Sequence, residues 1–121
     1  MNNKAILIGN VGKEPELREV GSTKCCAFSL ATNKSYKDKD GNWQNQTQWH
    51  NIVAWRATAE YIYNNIKKGN LLYVEGEITY RTWEDQNGNP RNTTEIIADK
   101  VIQLERKPSS NNNSEEDDYP A

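Results

Sequence analysis

No apolar run in this 121-residue chain approaches the ~20 residues that a helix needs to cross a bilayer. The stretch Ala5-Ile6-Leu7-Ile8 that follows Met-Asn-Asn-Lys is too brief for a secretory leader. The expectation from these two absences is a cytoplasmic protein. Histidine occurs once, and the only cysteines, Cys25 and Cys26, are adjacent. Neighbours on a strand point to opposite faces, so this pair makes neither an ordinary disulfide nor a metal clip. The G-x-x-x-x-G-K-S/T of a nucleotide-hydrolysing loop is missing. With His50 alone, no Ser-His-Asp constellation is visible. Asp38, Asp40 and Asn42 resemble a calcium loop only superficially: the glycine falls fourth, and Trp49 stands where the bidentate Glu belongs. The sequence therefore reads as a non-enzyme with no metal and no cofactor.

Hydrophobic residues make up 35% of the chain and mean hydropathy is -0.99. The apolar residues are gathered into short runs, which favours a small β-rich core over disorder throughout. Charge is unevenly placed. Every Lys and Arg lies at or before Lys107, whereas Glu115, Glu116, Asp117 and Asp118 lie beyond it. A slightly basic body with a detached acidic end is a pattern of nucleic-acid binders that carry interaction tails.

Taken in order, Lys4–Gly12 reads as a strand apolar on both faces, so that both sides should be covered, one by the core and one by something else, such as a second subunit. A connection with a short strand over Glu16–Val20 leads to a long strand, Lys24–Lys37. Asp38-Lys39-Asp40-Gly41-Asn42 is a hairpin tip. Thr47–Arg56 is the next strand, with Trp49, Asn51, Val53 and Trp55 on one face and His50, Ile52 and Ala54 on the other. A helix is expected over Ala57–Lys68, with an inward stripe of Ala59, Ile62, Tyr63 and Ile66, lysines in the last turn and Gly69 as C-cap. Strands at Asn70–Arg81 and Thr93–Leu104 flank a second hairpin tip, Trp83–Asn92. This order fits an all-β OB-fold, a five-stranded Greek-key barrel with one helix between strands 3 and 4. The domain is placed at residues 1–106, and 107–121 form a disordered linker and acidic tail.

Aromatic rings recur beside cations and polar turns. Tyr36 sits among Lys34, Lys37 and Lys39, Trp55 precedes Arg56, and Trp83 follows Arg81 with Tyr80 adjacent. Single-strand binders use this combination, stacking each base on a ring for ~1–3 kcal/mol while cations follow the backbone. His50, on the opposite strand face from the rings, is expected to pack or to touch a subunit rather than to catalyse.

The runs Asn3-Lys4-Ala5-Ile6-Leu7-Ile8-Gly9-Asn10-Val11-Gly12-Lys13-Glu14 and Thr47-Gln48-Trp49-His50-Asn51-Ile52-Val53-Ala54-Trp55-Arg56 resemble the two signatures of bacterial single-stranded DNA-binding proteins. Lys68-Gly69, Val74-Glu75-Gly76-Glu77-Ile78 and Arg81-Thr82-Trp83-Glu84-Asp85-Gln86 extend the likeness over residues 2–106. It implies sequence-independent binding and protection of single-stranded DNA in replication, recombination and repair, near the nucleoid. By resemblance the stacking positions fall on Tyr36, Trp49, Trp55 and Trp83, and cations on Lys39, Lys68 and Arg81, with Arg18 a further candidate; Lys34 and Arg56 join them from the local pattern. Asn51 and Thr79 stand where related proteins can carry arginine, which implies a shallower salt dependence. The likeness also implies a homotetramer. It further implies an acidic tail that docks on replication and repair proteins, here Asp117, Asp118, Tyr119, Pro120 and Ala121, weakened because the family's terminal Phe is missing. The alternatives are an RNA-binding OB module and an accessory protein acting mainly through its tail.

Overall fold

The computed structural model describes residues 1–104. The expected tail, including Asp117–Ala121, lies outside the described residues. Six strands and one helix follow in the order β1 (Ala5–Val11), β2 (Glu16–Val20), β3 (Thr23–Lys37), β4 (Trp43–Trp55), α1 (Arg56–Asn65), β5 (Leu71–Glu84) and β6 (Pro90–Gln103). The sheet runs β1-β5-β6-β4-β3-β2, and an additional β1–β3 pairing at Asn10↔Ala31 and Val11↔Leu30 closes it. The barrel thus has five strands, and β2 hangs on the outer edge of β3. Every pairing is antiparallel except β4–β6, which is parallel. With the helix between the third and fourth barrel strands, this is the expected OB-fold.

Alternation builds the core. Cys26, Phe28 and Leu30 of β3 point inward with Ile52 and Ala54 of β4, Leu72 and Val74 of β5, and Ile96 and Ala98 of β6. Ala59 and Ile62 of α1 stop one end of the barrel, where the helix meets β3, β4 and β6. Cys26 is fully buried within this core, and burial pushes its thiol up to about 11; Cys25, on the other side of β3, is only partly covered.

Three local expectations are corrected. The helix ends at Asn65, before Lys67 and Lys68. Ile66 swings into the core in an extended conformation, and the Lys67 amide donates to Asn70 Oδ1 (2.8 Å), so the lysines and Gly69 belong to a turn beyond the helix. Tyr63, expected in the inward stripe, is exposed, since the helix covers the barrel with Ala59 and Ile62 alone and Ile66 reaches the core from outside it. The hairpins are also longer than expected. Strand β4 begins at Trp43, and β5 and β6 pair as far as Trp83↔Arg91 and Glu84↔Pro90. Trp83 is therefore a strand residue and not part of a tip.

Each hairpin tip is a clamp built on one aspartate. Asp38 Oδ1 accepts from the amides of Asp40 and Asn42 (both 2.9 Å), and Oδ2 accepts from Gln44 Nε2 (3.0 Å). Asp85 repeats the scheme with the amides of Asn87 (2.9 Å) and Asn89 (3.0 Å), and with Arg91 Nε at 2.9 Å from Oδ2. Gly41 and Gly88 take the left-handed position in each turn, at φ 82° and 80°. The same D-x-[DN]-G-N pattern thus closes both arms, and the Asp38 carboxylate is engaged by the turn itself.

Candidate nucleic-acid interface

The register of β3 and β4 runs without a break from Cys25↔Trp55 to Lys37↔Trp43. Directly paired residues share a face, which sorts every side chain of this ribbon. One face carries Trp43, Asn45, Thr47, Trp49, Asn51, Val53 and Trp55 from β4, opposite Lys37, Ser35, Asn33, Ala31, Ser29, Ala27 and Cys25 from β3. The β4–β6 and β5–β6 registers continue this face through Glu95 and Ile97 to Thr79, Arg81 and Trp83. The expected placement of Trp49, Asn51, Val53 and Trp55 opposite His50, Ile52 and Ala54 holds.

Trp49 is 61% exposed, and Trp55 and Trp83 present about 36% and 43% of their surfaces. These rings are held from behind. The Trp49 indole reaches across β3 to the end of β1, where a methyl group added at Gly12 would lie 2.4 Å from Cζ3 of the ring and 2.8 Å from Ser29 Oγ. Gly12 is tied down there by its amide, which donates to the Ser29 carbonyl (2.9 Å). Trp83 Nε1 donates to Thr93 Oγ1 (2.9 Å), fixing that indole on the second arm.

Tyr36 does not join this series. It pairs with Gln44 and so stands on the reverse face of the first arm, beside Lys34, which pairs with Gln46. Beyond the barrel wall both faces of the ribbon meet solvent, and Tyr36 remains exposed there. Lys39 occupies the tip between Asp38 and Asp40. Tyr80 likewise lies on the reverse face of the second arm, opposite Thr94, because it alternates with Arg81 and Trp83.

The cations differ in how free they are. Arg81 Nη2 lies 3.0 Å from Glu95 Oε2, so part of its charge is spent within the face. Glu95 is directly opposite both Asn51 and Thr79, the two neutral positions noted in the sequence. The centre of the face is therefore close to neutral. Arg56 is the first helical residue, at φ 55°, a left-handed backbone that costs a non-glycine residue of order 1 kcal/mol or more. Lys68 sits in the turn after the helix; its amide donates to Glu14 (3.2 Å), and the next amide, of Gly69, donates to the Val11 carbonyl (2.8 Å), which holds this turn against the end of β1. Arg18 is on β2, 3.7 Å from Glu16. Among the described residues Lys34, Lys39 and Lys68 have no carboxylate partner.

His50 is half-buried with Nε2 2.9 Å from Thr32 Oγ1, on the strand face away from the indoles. One ring escaped the sequence reading. Trp43, 69% exposed, is on the same face as Trp49 and Trp55, with Lys37 Nζ 5.5 Å from its ring centroid. Its six-residue spacing from Trp49 repeats that from Trp49 to Trp55, a signal legible in the sequence only when the strand is taken back beyond Thr47.

Residues 2–104 match the model of the single-strand binding protein family. Single-stranded DNA-binding protein 1 of Chlorobaculum tepidum is 39% identical over 115 residues, covering 93% of this chain and 71% of that one. The protein of the same description from Xylella fastidiosa is 41% identical over 111 residues, covering 90% and 82%. Among solved structures, a Plasmodium falciparum SSB complex with single-stranded DNA superposes with a TM-score of 0.80 at 35% identity, over 87% of this chain and 97% of that one. A small single-stranded DNA-binding protein from Streptomyces coelicolor shares the fold, with a TM-score of 0.69 at 24% identity, over 86% and 96% of the two chains.

Proposed function

The chain belongs to the single-strand binding protein family, and from that premise we propose how it engages single-stranded DNA: by stacking bases on a row of indoles, with no base-specific readout and no catalysis. The observation that carries this reading is the shared face of Trp49, Trp55 and Trp83, each indole held by its strand register. Every base has a π face, so stacking is indifferent to sequence but needs bases freed from pairing. Backbone phosphates fall to Lys39, Lys68, Arg56 and the incompletely free Arg81. Tyr36 and Lys34, on the reverse face of the arm, serve a strand that passes around the arm rather than along the indole row. Such binding keeps strands unpaired and protected during replication, recombination and repair, on the nucleoid.

We further propose a homotetramer. Its support is the outward face of β1, β5 and β6, where Ile8, Tyr73 and Ile102 form one row and Ile6, Glu75 and Lys100 the next. Ile6 and Ile8 are each 54% exposed, although β1 is apolar on both sides as the sequence required. The one acid in these rows is partnered: Tyr73 donates to Glu75 (2.8 Å), and Lys4 Nζ lies 3.1 Å from the same carboxylate. A second copy of the chain is the natural cover. Docking of replication or repair proteins would fall to the acidic tail, outside the described residues. Among the described residues no helix is long and apolar enough to cross a membrane.

Titration with oligo-dT, followed by tryptophan emission, tests the reading. Strong quenching by single strands, with much weaker binding of duplex and of matched RNA, is expected. Equal affinity for duplex, or no quenching at low salt, would refute it. The mass of the free protein and of the complex tests the tetramer in the same samples.

A further inference from the structure

The first arm projects beyond the barrel wall, and its indole face is organised along its whole length. From Trp49 outward the paired rows are Ala31/Trp49, Asn33/Thr47, Ser35/Asn45 and Lys37/Trp43. Thr47 Oγ1 donates to Asn33 Oδ1 (2.7 Å) and Ser35 Oγ to Asn45 Oδ1 (2.9 Å). These bonds link the two strands into a polar track whose two middle rows carry no charge. The track ends at Trp43, about 20 Å from Trp49 at ~3.3 Å per residue. Trp43 has no apolar neighbour to bury it: it is 69% exposed, more than any other tryptophan of the chain. Its cross-strand partner Lys37 stands 5.5 Å from the ring centroid. A cation on one side of an indole occupies that side and adds positive charge beside it. The other side remains available to a flat, electron-rich group. Asp38 is folded back onto the turn by three donors, and Asp40 follows it in the tip.

We propose that Trp43 and Lys37 form an additional nucleotide subsite of the DNA-binding surface, in which a base stacks on the free face of Trp43 and the adjoining phosphate is met by the Lys37 ammonium. The inference rests on the single-strand binding reading and extends it outward. The arm then carries bound strand away from the barrel, over hydrogen-bonding Asn, Ser and Thr side chains that neither repel phosphate nor select a base. One domain covers a longer strand than its barrel alone would, and the subsite is silent for strands too short to reach it.

The length dependence is the test. Oligo-dT near the lower and upper ends of the ~4–16 nucleotides that one OB domain covers is titrated against the full-length protein and against Trp43→Ala, Trp43→Phe, Lys37→Ala and Trp49→Ala. Loss of one stacked base corresponds to roughly 5- to 140-fold in affinity, from ~1–3 kcal/mol per base. Trp43→Ala should lose an amount in that range on the long strand and nothing on the short one. Trp43→Phe should recover much of the loss, and Lys37→Ala should flatten the salt slope on the long strand only, by ~0.7. Trp49→Ala should weaken both lengths. If Trp49→Ala weakens binding while Trp43→Ala leaves both lengths unchanged, or weakens both equally, the arm subsite is overturned and the barrel reading stands. If the unmutated protein does not bind, both fall together. The site lies outside the core, and an unchanged thermal transition for Trp43→Ala will confirm that the fold is intact.

Discussion

Replacing Gly12 by alanine adds one methyl group and no charge, and it should weaken DNA binding through the Trp49 indole. The new carbon would lie 2.4 Å from Trp49 Cζ3, whereas carbon atoms rest at about 3.5–4.0 Å. One of the two must retreat by roughly 1–1.5 Å. Gly12 cannot easily move, since its amide is bonded to the Ser29 carbonyl and the preceding residues are paired with β3. The half-free indole is the softer partner and will tilt off its seat. Overpacking a fixed core site costs ~1–3 kcal/mol, but a ring that is 61% exposed escapes most of that, so the melting temperature should change little. Binding has no such escape. A tilted ring forfeits part or all of one stacking contact of ~1–3 kcal/mol, a loss of about 5- to 140-fold at most. The assay is oligo-dT titration of the wild type, Gly12→Ala, Trp49→Ala and the double variant. Once Trp49 is alanine the methyl at Gly12 meets only the Ser29 hydroxyl (2.8 Å), a small group that can rotate aside, so the double variant should bind like Trp49→Ala alone. Equal losses from Gly12→Ala in both backgrounds would refute the reasoning, as would wild-type affinity in Gly12→Ala.

Two other perturbations follow from the charges. Glu95→Gln frees Arg81 and removes a negative charge from the centre of the indole face, so DNA should bind more tightly and the salt slope should steepen by ~0.7 if the released arginine meets one phosphate; an unchanged slope in a salt series would sink the idea. The two turn aspartates have pKa values below the ordinary carboxylate range, Asp38 through the Asn42 amide and then Gln44 and Asp40, Asp85 through the Asn89 amide and then Arg91 and Asn87. A depressed folded pKa gives stabilisation that is complete above the unfolded value of ~3.9 and is lost as pH falls through the lower folded value. The protection of the Asn42 and Asn89 amides, relative to their intrinsic exchange, should therefore be constant near neutral pH, fall on acidification below that range, and already be lowered at pH 7 in Asp38→Ala for the first tip only.

The barrel was legible because its rules are local. Alternation along Cys26–Leu30 and Trp49–Trp55 fixes which residues face inward, and the Asp-Gly turn marks the first tip. The helix boundary is not legible in the sequence because lysines and a glycine after an apolar stripe imitate a helix end, while the actual stop depends on Ile66 finding the core and on the Asn70 side chain. Which rings share a face is a matter of pairing between strands. Tyr36 looked like part of the series because it is close in sequence to cations, but only the register with Gln44 shows that it faces away. The contact of Trp49 with Gly12 joins residues far apart in the chain and could not be read from either alone.

The unbroken β3–β4 register also limits the lengths the first arm can take. Adding one residue to each strand between Trp49 and Trp43 would keep the strands paired, yet it would turn Trp43 and Lys37 to the reverse face and bring Tyr36 round to the front. Adding two residues to each strand would restore both. Insertions and deletions in this arm are therefore not equivalent surface-loop changes. Those in phase with the pleat lengthen the reach of the protein, and those out of phase exchange its two sets of rings.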